Sequence, residues 1–213
     1  NMKKQNLFKI IDDKKDLFID ISDTIWEYAE LSLLEFKSAS YYINVLKEEG
    51  FKVEEEISGV KTAFSGSFGS GKPIIGILGE FDALSGLSQE ANSLERKELV
   101  SGGSGHGCGH HLLGSGSLAA AIAIKEYLES KGKGSGTVIY YGCPGEEGGA
   151  GKAFMAREGV FYNLDAALTW HPSDSNEVTT GTNNSSIQVE YSYEGLASHA
   201  AGSPHMGRSA LDG

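Results

Sequence analysis

Cysteine is scarce in this sequence, with two residues, Cys108 and Cys143, in a chain of 213. A pair separated by so long a stretch does not form the disulfide framework that characterises small secreted domains. Both cysteines instead stand near histidine or glutamate residues that are candidates for a site, which suits a reducing compartment. The cysteine content therefore predicts a cytoplasmic protein without a disulfide framework.

Basic residues and long apolar runs are also lacking. Lysine and arginine number 18 against 29 aspartate and glutamate residues, so the formal net charge is -11. Proteins that bind nucleic acid carry a basic face, and none is visible here. No apolar run has the length needed to cross a bilayer, and the amino-terminal segment NMKKQNLFKIIDDKK is amphipathic rather than signal-like. We therefore expect neither a nucleic acid nor a membrane as a partner.

A glycine-rich segment at residues 101–116, SGGSGHGCGHHLLGSG, brings His106, Cys108, His110 and His111 close together. Its glycines allow backbone conformations that let side chains converge on one small volume. A cysteine and a histidine two positions apart supply two metal ligands, whereas Zn²⁺ or Mn²⁺ takes four or more. If this segment binds metal, the remaining ligands must come from elsewhere in the chain.

The order of apolar patterns predicts an α/β fold with a mostly parallel sheet flanked by helices. Apolar residues at helical spacing indicate two amphipathic helices between residues 14 and 49. Further on, predicted strands and helices alternate, which favours right-handed crossovers and parallel pairing. The predicted strands begin near Phe51 and cover 62–68, 73–78, 137–143 and 165–170, and the predicted helices between them cover 112–128 and 151–158.

Polar side chains follow three of these strands directly. Glu80 and Asp82 come after 73–78, Glu146 and Glu147 after 137–143, and His171 after 165–170. The carboxyl ends of parallel strands meet at one edge of a sheet, which is where open α/β folds place their sites. Of these side chains, Glu146, Glu147 and His171 are therefore candidates to complete a metal centre with the glycine-rich segment.

Two other segments carry less information. Residues 85–104 are polar without a clear period, and a loop of this length either contacts the substrate or a lid, or is a solvated insertion without a role. A polar linker covers 173–185. After it, apolar and polar residues alternate, with Ile187, Val189, Tyr191 and Tyr193 at the apolar positions, which predicts a strand with one solvent-exposed face. We therefore expect one domain over 1–180 and the start of a second over 181–213.

Five motifs, in order, resemble the amidohydrolases of the aminoacylase and carboxypeptidase type, a family of dinuclear metallopeptidases. The resemblance implies a zinc-peptidase-like catalytic domain over 1–180 and the beginning of an α+β lid or dimerisation domain over 181–213. It also implies two divalent ions, Zn or Mn, and a homodimer formed through the lid domain. The motifs are GEFDALSGLSQ, GHGCGHHLLGSGSLAAA, YYGCPGEEGGAGKAFMAREG, DAALTWHP and GLASHAAGSPHMGRSALD.

The same resemblance implies roles for individual residues. It makes Cys108 a thiolate that bridges or borders the two ions, His110 a terminal ligand, Glu147 a metal-binding carboxylate and His171 a ligand of the second ion. Asp82 is implied to orient a ligand imidazole. These five side chains come from four separate parts of the sequence.

The resemblance implies hydrolysis of an amide between an acyl or aroyl group and an amino acid, in substrates of the p-aminobenzoyl-glutamate, N-acyl amino acid or dipeptide class. Glu146 matches the general base, and His199 matches a lid-domain histidine that reaches the substrate carbonyl. The chemistry is consistent, because bound metal lowers the pKa of water to about 7 and a nearby carboxylate can accept its proton.

Other interpretations of these residues stay open. Cys108 paired with His110 or His171 is a candidate nucleophile, although that chemistry leaves Glu146 and Glu147 unused. A nucleotide site is disfavoured, because GxxxxGK[ST] is absent and no GxGxxG opens a helix directly after a strand. We interpret His106, His111 and His205 as neighbours of the site or surface groups, and Cys143 as a buried inert thiol.

The family's chains are longer than this one, and the resemblance places one more metal-ligating histidine after the lid domain. We therefore expect the 213-residue chain on its own to hold metal poorly and to show little or no hydrolase activity. The alternative to an enzyme is a truncated, inactive fragment that retains partial metal binding.

Overall fold

A computed structural model describes residues 4–178, 181–182, 184–187 and 189–213. The chain forms two compact units, residues 1–174 and 175–213. The boundary lies a few residues before the expected one at 180, a position outside the described residues. The assignment of the two units to a catalytic and a lid domain stays a prediction.

The described residues of the first unit contain five α-helices, and the two predicted before residue 50 are among them. Ile21 and Ile25, four residues apart, are fully buried on the second helix, as the apolar spacing predicts. The carboxylate of Glu30 accepts hydrogen bonds from the backbone N–H groups of Lys37 and Ser38 at the start of the third helix. The helices are α1 (Lys4–Asp13), α2 (Lys15–Tyr28), α3 (Phe36–Glu48), α4 (His110–Lys131) and α5 (Gly151–Arg157).

A five-stranded mixed sheet lies among these helices, and the predicted α/β fold class is confirmed. Its strands are β1 (Lys52–Glu55), β2 (Phe64–Ser70), β3 (Ile74–Gly79), β4 (Gly136–Gly142) and β5 (Ala166–Leu168), in the spatial order β1-β2-β4-β3-β5. β3 pairs in parallel with β4 and with β5. The pairs β1–β2 and β2–β4 are antiparallel. The parallel part is the region where strands and helices alternate in the sequence.

Both faces of the sheet are covered at β4, as its residues show one by one. Val138 and Tyr140 point to a large core shared with α2, α3 and α4. Ile139 and Tyr141 point to a smaller core on the other face, around Met155 of α5. This alternation places α4 on one side of the sheet and α5 on the other. Among the described residues, no helix combines the length and apolar character needed to cross a bilayer.

The amino-terminal end of α4 lies against the carboxyl end of β3. Gly109, just before the helix, has φ +80°, a conformation that glycine adopts without strain. A Cβ atom at Gly114 would lie 2.7 Å from the backbone oxygen of Glu80. Glycine at 114 therefore lets α4 approach the strand end closely, and the helix is further tied to β3 by Ser117, whose hydroxyl donates to Leu78 O at 2.7 Å.

The second unit corrects one prediction. The described residues between 181 and 195 contain no strand, although the alternation of Ile187, Val189, Tyr191 and Tyr193 predicts one; residue 188 lies outside the described residues. A strand requires a hydrogen-bonded partner, and Ile187 and Tyr191 are 87% and 74% exposed. Short 3₁₀ helices cover Pro204–Met206 and Ala210–Asp212.

Candidate metal centre

The imidazole of His110 is held at both nitrogens. It is fully buried as the first residue of α4, and its Nδ1 lies 2.9 Å from Asp82 Oδ1. A carboxylate only accepts hydrogen bonds, so Nδ1 carries the hydrogen and donates it. Nε2 then faces three carboxylates, Glu80 Oε2 at 3.0 Å, Glu146 Oε2 at 3.8 Å and Glu147 Oε1 at 4.0 Å.

Asp82 connects the two halves of this arrangement. Besides His110, its carboxylate accepts a hydrogen bond from the Ser32 hydroxyl at 2.7 Å and from the backbone N–H of Glu147 at 2.9 Å. Burial raises the pKa of Asp82, but these hydrogen bonds outweigh burial and hold the pKa below its usual range. Asp82 therefore fixes the ring of His110 and the backbone of the glutamate pair in one position.

Cys108 and His171 meet on the other side of the centre. Cys108 Sγ lies 3.3 Å from His171 Nε2, and His171 Nδ1 lies 2.9 Å from the carbonyl oxygen of Pro172. Because a carbonyl only accepts, Nδ1 carries the hydrogen and Nε2 presents a lone pair to the sulfur. One ligand atom from each of Cys108, His110 and His171 falls within a volume where all lie within 4.8 Å of one another.

The glutamate pair sits in the loop after β4, which Glu35 holds in place. The buried carboxylate of Glu35 accepts from the backbone N–H of Gly145 at 2.7 Å and from the Thr62 hydroxyl at 3.0 Å. The side chain of Glu146 is 43% exposed, whereas that of Glu147 is 18% exposed. The two neighbours thus face different surroundings, with Glu146 towards solvent and Glu147 towards His110.

The electrostatics of the centre favour cations. Burial lowers the pKa of His110, but hydrogen bonding with Asp82 and the proximity of Glu80 raise it to about 10. Burial, and then the contact with the carboxylate of Glu147, raise the pKa of Cys108 to about 11. Burial raises the pKa of Glu146, and the charges of Glu80 and Glu147 act in the same direction. A positive charge at this position would lower the pKa of all three groups.

Two buried atoms without a hydrogen-bond partner test whether a metal fits. His110 Nε2 and Glu147 Oε1 are both buried and unpaired within the described part of the chain, although Glu80 Oε2 lies near the former. An unpaired buried polar atom costs about 1–3 kcal/mol. Thiolate, imidazole and carboxylate are ligands that Zn²⁺ and Mn²⁺ accept in proteins, so these residues fit a divalent ion.

The remaining histidines of the first unit and the second cysteine lie away from this cluster. His106 donates from Nε2 to the carbonyl oxygen of Ile25 at 2.9 Å, and the ring of His111 packs on Trp26 with centroids 4.9 Å apart. Cys143 is fully buried, which raises its pKa to about 12. The indole of Trp170 packs on α4, its Nε1–H donating to Leu113 O at 3.1 Å.

His199 belongs to the second unit. It is exposed, and its Nδ1 accepts hydrogen bonds from the backbone N–H groups of Ala201 and Gly202 at 3.2 and 2.8 Å. His205 lies in the nearby 3₁₀ helix and is also exposed. The role of His199 towards a substrate stays a prediction.

Sequence reasoning missed three residues that support the centre, Ser32, Glu35 and Lys152. Ser32 and Glu35 lie far from every motif in the sequence, so no local pattern identifies them. Lys152 stands six residues after Glu146 and pairs with Glu80, which sequence reasoning placed at a strand end without a role. A buried carboxylate near a metal site requires a counter-charge. This requirement could have identified Lys152 as a partner of Glu80 from the sequence.

The 85–104 segment contains neither helix nor strand, as predicted. Together with the end of α2 it encloses a cavity of about 780 Å³, lined among others by Trp26, Tyr28, Val100 and His111. Of the proposed metal ligands, all of which the structure describes, none lines this cavity. A substrate-side role for this loop stays a prediction.

Comparison with known families gives one match that covers most of the chain. Residues 76–207 match the family described as Peptidase family M20/M25/M40. The chain is 49% identical over 212 residues to a subunit of p-aminobenzoyl-glutamate hydrolase from Escherichia coli (strain K12), a match covering 98% of this chain and 44% of the relative. Hippurate hydrolase of Campylobacter jejuni is 32% identical over 173 residues, covering 78% and 42%. The family resemblance of the five sequence motifs is thereby confirmed.

Solved structures give the same result for the fold. A dinuclear metal-binding peptidase of the M20 family from Bacillus subtilis superposes with a TM-score of 0.63 at 25% identity, covering 74% of this chain and 43% of that one. An aminobenzoyl-glutamate utilization protein from Klebsiella pneumoniae has a TM-score of 0.54 at 18% identity, covering 76% and 44%, and shows likeness of fold alone. The chain therefore spans less than half the length of these relatives.

Proposed function

We propose, because the chain belongs to peptidase family M20/M25/M40, that it forms the metal-binding part of a metal-dependent amidohydrolase. The proposed reaction is hydrolysis of the amide bond between an acyl or aroyl group and an amino acid. The observation that carries the proposal is the convergence of Cys108, His110, Glu147 and His171 at the carboxyl ends of the parallel strands, with two buried ligand atoms left unpaired among the described residues.

The substrate class is inferred from the relatives. Two of them are named for hydrolysis of p-aminobenzoyl-glutamate and of hippurate. We extend the same class to this chain: p-aminobenzoyl-glutamate, N-acyl amino acids or dipeptides. The identity of 49% to the first relative makes p-aminobenzoyl-glutamate the first substrate to test.

In the proposed mechanism, Cys108, His110, Glu147 and His171 hold two divalent ions. The ions, when bound, supply polarisation of the amide carbonyl and a lowered pKa of water. Asp82 keeps the proton on His110 Nδ1 and leaves Nε2 as a ligand. The thiolate favours Zn²⁺, whereas the surrounding carboxylates also admit Mn²⁺.

Glu146 is the proposed general base. Its side chain is partly exposed and lies beside His110, so a water molecule can reach it. Its pKa is raised by burial and by the neighbouring carboxylates, which brings it closer to the neutral range where a base works best. Glu146 would accept the proton of the attacking water and pass it to the leaving nitrogen.

His199 is proposed to contact the substrate carbonyl in the assembled enzyme, a homodimer formed through the lid domain. The support is its position in the motif GLASHAAGSPHMGRSALD of the second unit. Sedimentation and turnover of a full-length enzyme that carries this chain, with and without His199→Ala, separate assembly from chemistry: the variant should remain dimeric while its turnover falls.

A cysteine nucleophile is the second candidate, favoured by the distance of 3.3 Å between Cys108 Sγ and His171 Nε2. Two observations oppose it. Reactive cysteines have lowered pKa values in electropositive surroundings, whereas burial and Glu147 raise the pKa of Cys108 to about 11. The nucleophile also leaves Glu146 and Glu147 without a function.

A chimera tests the proposed function. The 212 matched residues of the E. coli relative are replaced by this chain, and hydrolysis of p-aminobenzoyl-glutamate is measured with Zn²⁺ or Mn²⁺. We expect turnover that chelators abolish. Glu146→Ala should remove at least about 10²-fold of the rate, the usual contribution of a general base, while metal content is kept. A folded, metal-loaded chimera without amide hydrolysis would overturn the proposal, and turnover that survives chelation would favour the cysteine nucleophile.

The 213-residue chain alone is tested separately. We propose that it retains partial metal binding with little or no turnover, since it spans 44% of the relative. Metal content by elemental analysis and amide hydrolysis are measured on the purified chain. Two ions per chain together with measurable turnover would show that this proposal about the isolated chain is wrong.

A further inference from the structure

Glu80 faces the same ring nitrogen of His110 that a metal ion would bind. It follows β3 directly and is 8% exposed. Its Oε2 lies 3.0 Å from His110 Nε2, whereas its other oxygen, Oε1, pairs with the ammonium group of Lys152. Glu80 is thus a buried carboxylate with one oxygen held by a cation and the other directed at an imidazole.

When the ring of His110 is neutral, as a metal ligand must be, the contact with Glu80 brings two electron-rich atoms together. Asp82 occupies Nδ1 as acceptor, so Nε2 of the neutral ring carries a lone pair. In the metal-free chain a proton on Nε2 can lie between these two atoms, but the contact does not have hydrogen-bond geometry, since Nε2 has no hydrogen-bond partner among the described residues. A metal ion accepts both atoms as ligands without requiring them to lie in line.

A third group completes the position. Glu80, His110 and Glu146 each offer a ligand atom, and these atoms all lie within 4.8 Å of one another. Cys108, His110 and His171 form a second set of ligand atoms, which has only His110 in common with the first set. A cation placed on the Glu80 side of His110 is therefore surrounded by oxygen and nitrogen ligands.

We propose that Glu80 is a further metal ligand, whose Oε2 binds the same divalent ion as His110 Nε2. Lys152 acts as a positioning residue, because it holds Oε1 and leaves Oε2 directed at the ion. The inference rests on the proposed function, in that it requires a metal centre at His110. It adds a carboxylate to the ligand set and so favours ions that accept oxygen ligands, such as Mn²⁺, at that position.

The test compares Glu80→Gln with Lys152→Met in the 213-residue chain. Binding of Mn²⁺ and Co²⁺ is measured by titration, with the cobalt absorption spectrum as a second readout of the ligand set. Loss of an outer partner lowers metal affinity by about 10–100-fold. We expect Glu80→Gln to lower it by more than ~100-fold and Lys152→Met, which removes only an outer partner, by no more than about 10–100-fold, with a changed cobalt spectrum in the first variant alone.

The double variant E80Q/K152M removes both charges and controls for folding, because it leaves no unpaired buried charge from this pair. If Glu80 is a ligand, the double variant should bind metal as weakly as Glu80→Gln. If the pair is only a structural ion pair, both single variants should weaken binding equally and the double variant should recover it. The second result would overturn the inference.

A coupling experiment shows whether Glu80 and His110 share one ion. His110→Gln and the double variant E80Q/H110Q are titrated beside Glu80→Gln. Substitutions of two residues that bind one ion give strongly non-additive losses of metal affinity. The double variant should therefore bind metal about as tightly as the single variant with the lower affinity. If the fold losses of affinity in the two single variants multiply in the double variant, Glu80 and His110 do not bind the same ion.

The outcomes also separate this inference from the proposed function. If neither the unsubstituted chain nor the chimera with the E. coli relative takes up a divalent ion, the metal centre itself is wrong, and the inference fails with it. If the unsubstituted chain binds metal and Glu80→Gln binds it equally well, the inference about Glu80 alone is wrong and the metal centre stands.

Discussion

Opposing influences act on the pKa of His110. Complete burial disfavours its charged form, but Asp82 and Glu80 raise its pKa to about 10 in the metal-free chain. The pKa in the unfolded chain is the ordinary 6.5. A histidine whose pKa is raised by folding stabilises the fold fully below the unfolded pKa, and that stabilisation is lost as pH rises through the folded pKa.

We therefore predict that the metal-free chain loses stability between pH 6.5 and about 10. Asp82 and Glu80 have pKa values below their usual range, so their contribution is constant over this window and is lost only in acid. Thermal unfolding in the presence of a chelator measures the effect. We expect the melting temperature to fall by at least ~2–4 °C, which corresponds to about 1 kcal/mol in a chain of this size.

His110→Gln is the control for this pH dependence. The amide does not titrate, so the variant should be less stable at pH 6 and should show a flatter profile up to pH 10. An unchanged slope in the variant would mean that another group causes the loss of stability.

The two cysteines should react differently with thiol reagents. Cys143 is fully buried and its pKa is raised to about 12, whereas Cys108 is partly exposed. We predict that one thiol per native chain reacts, slowly because the pKa of Cys108 is about 11, and that both react after denaturation. Cys108→Ala should remove the native reaction. Bound Zn²⁺ should protect Cys108, and modification of Cys143 in the native chain would contradict the packing.

At the scale of elements, the contact between α4 and β3 sets the position of the centre. Gly114 is the point of closest approach, because a Cβ there would lie 2.4 Å from the hydroxyl of Tyr42 and 2.7 Å from the backbone oxygen of Glu80. Neither neighbour can move freely, since Tyr42 is fully buried and the other atom belongs to the backbone. A side chain at position 114 would therefore push α4 away from the strand end.

We predict that Gly114→Val destabilises the chain by about 1–3 kcal/mol, the usual cost of overpacking. It should also weaken metal binding, because α4 carries His110 and the strand end carries Glu80 and Asp82. Urea unfolding and metal titration measure the two effects.

Gly116→Val in the same helix is the matched comparison. A Cβ at Gly116 would lie 2.7 Å from the ring of Trp170, a side chain that is 43% exposed and has room to turn outwards. We expect a smaller loss of stability and little change in metal affinity. Equal effects on metal affinity at the two positions would show that the close approach at Gly114 does not position the centre.

At the scale of the whole molecule, negative charge predominates. The chain has a formal net charge of -11, and Glu80, Asp82, Glu146 and Glu147 add a local concentration of carboxylates around one imidazole. A ligand that binds the folded chain alone stabilises it by about 2.7 kcal/mol at 100 times its Kd. A divalent ion at the centre therefore stabilises the first unit as well as supplying chemistry.

We predict that Zn²⁺ or Mn²⁺ at that excess raises the melting temperature by about 5–10 °C, and that a chelator reverses the rise. The double variant C108A/H171A keeps the fold but lacks two proposed ligands, so its rise should be much smaller. An equal rise in the double variant would indicate that the ions bind at other carboxylates.

Much of the organisation was predictable from local patterns. The spacing of Ile21 and Ile25 predicted α2, the apolar run at 73–78 predicted β3, and the alternation of strands and helices predicted the parallel part of the sheet. These predictions succeeded because each depends on the apolar pattern within segments or on the order of the segments along the chain, both of which are visible in the sequence. The prediction of a strand at 187–193 was wrong. A strand needs a second strand to form hydrogen bonds with, and the alternation of residues in one segment does not show whether such a strand is present.

The sequence by itself determined which chemical groups stand at the ends of which strands, and the motifs determined the family. Tertiary structure alone decided that Asp82 also holds the Glu147 backbone, that Glu35 fixes the loop before the glutamate pair, and that Lys152 and His110 share Glu80. These contacts join residues up to 110 positions apart. Local propensity and periodicity act over a few residues, whereas such contacts depend on how the strands are ordered and how closely α4 approaches the sheet, which no local pattern encodes.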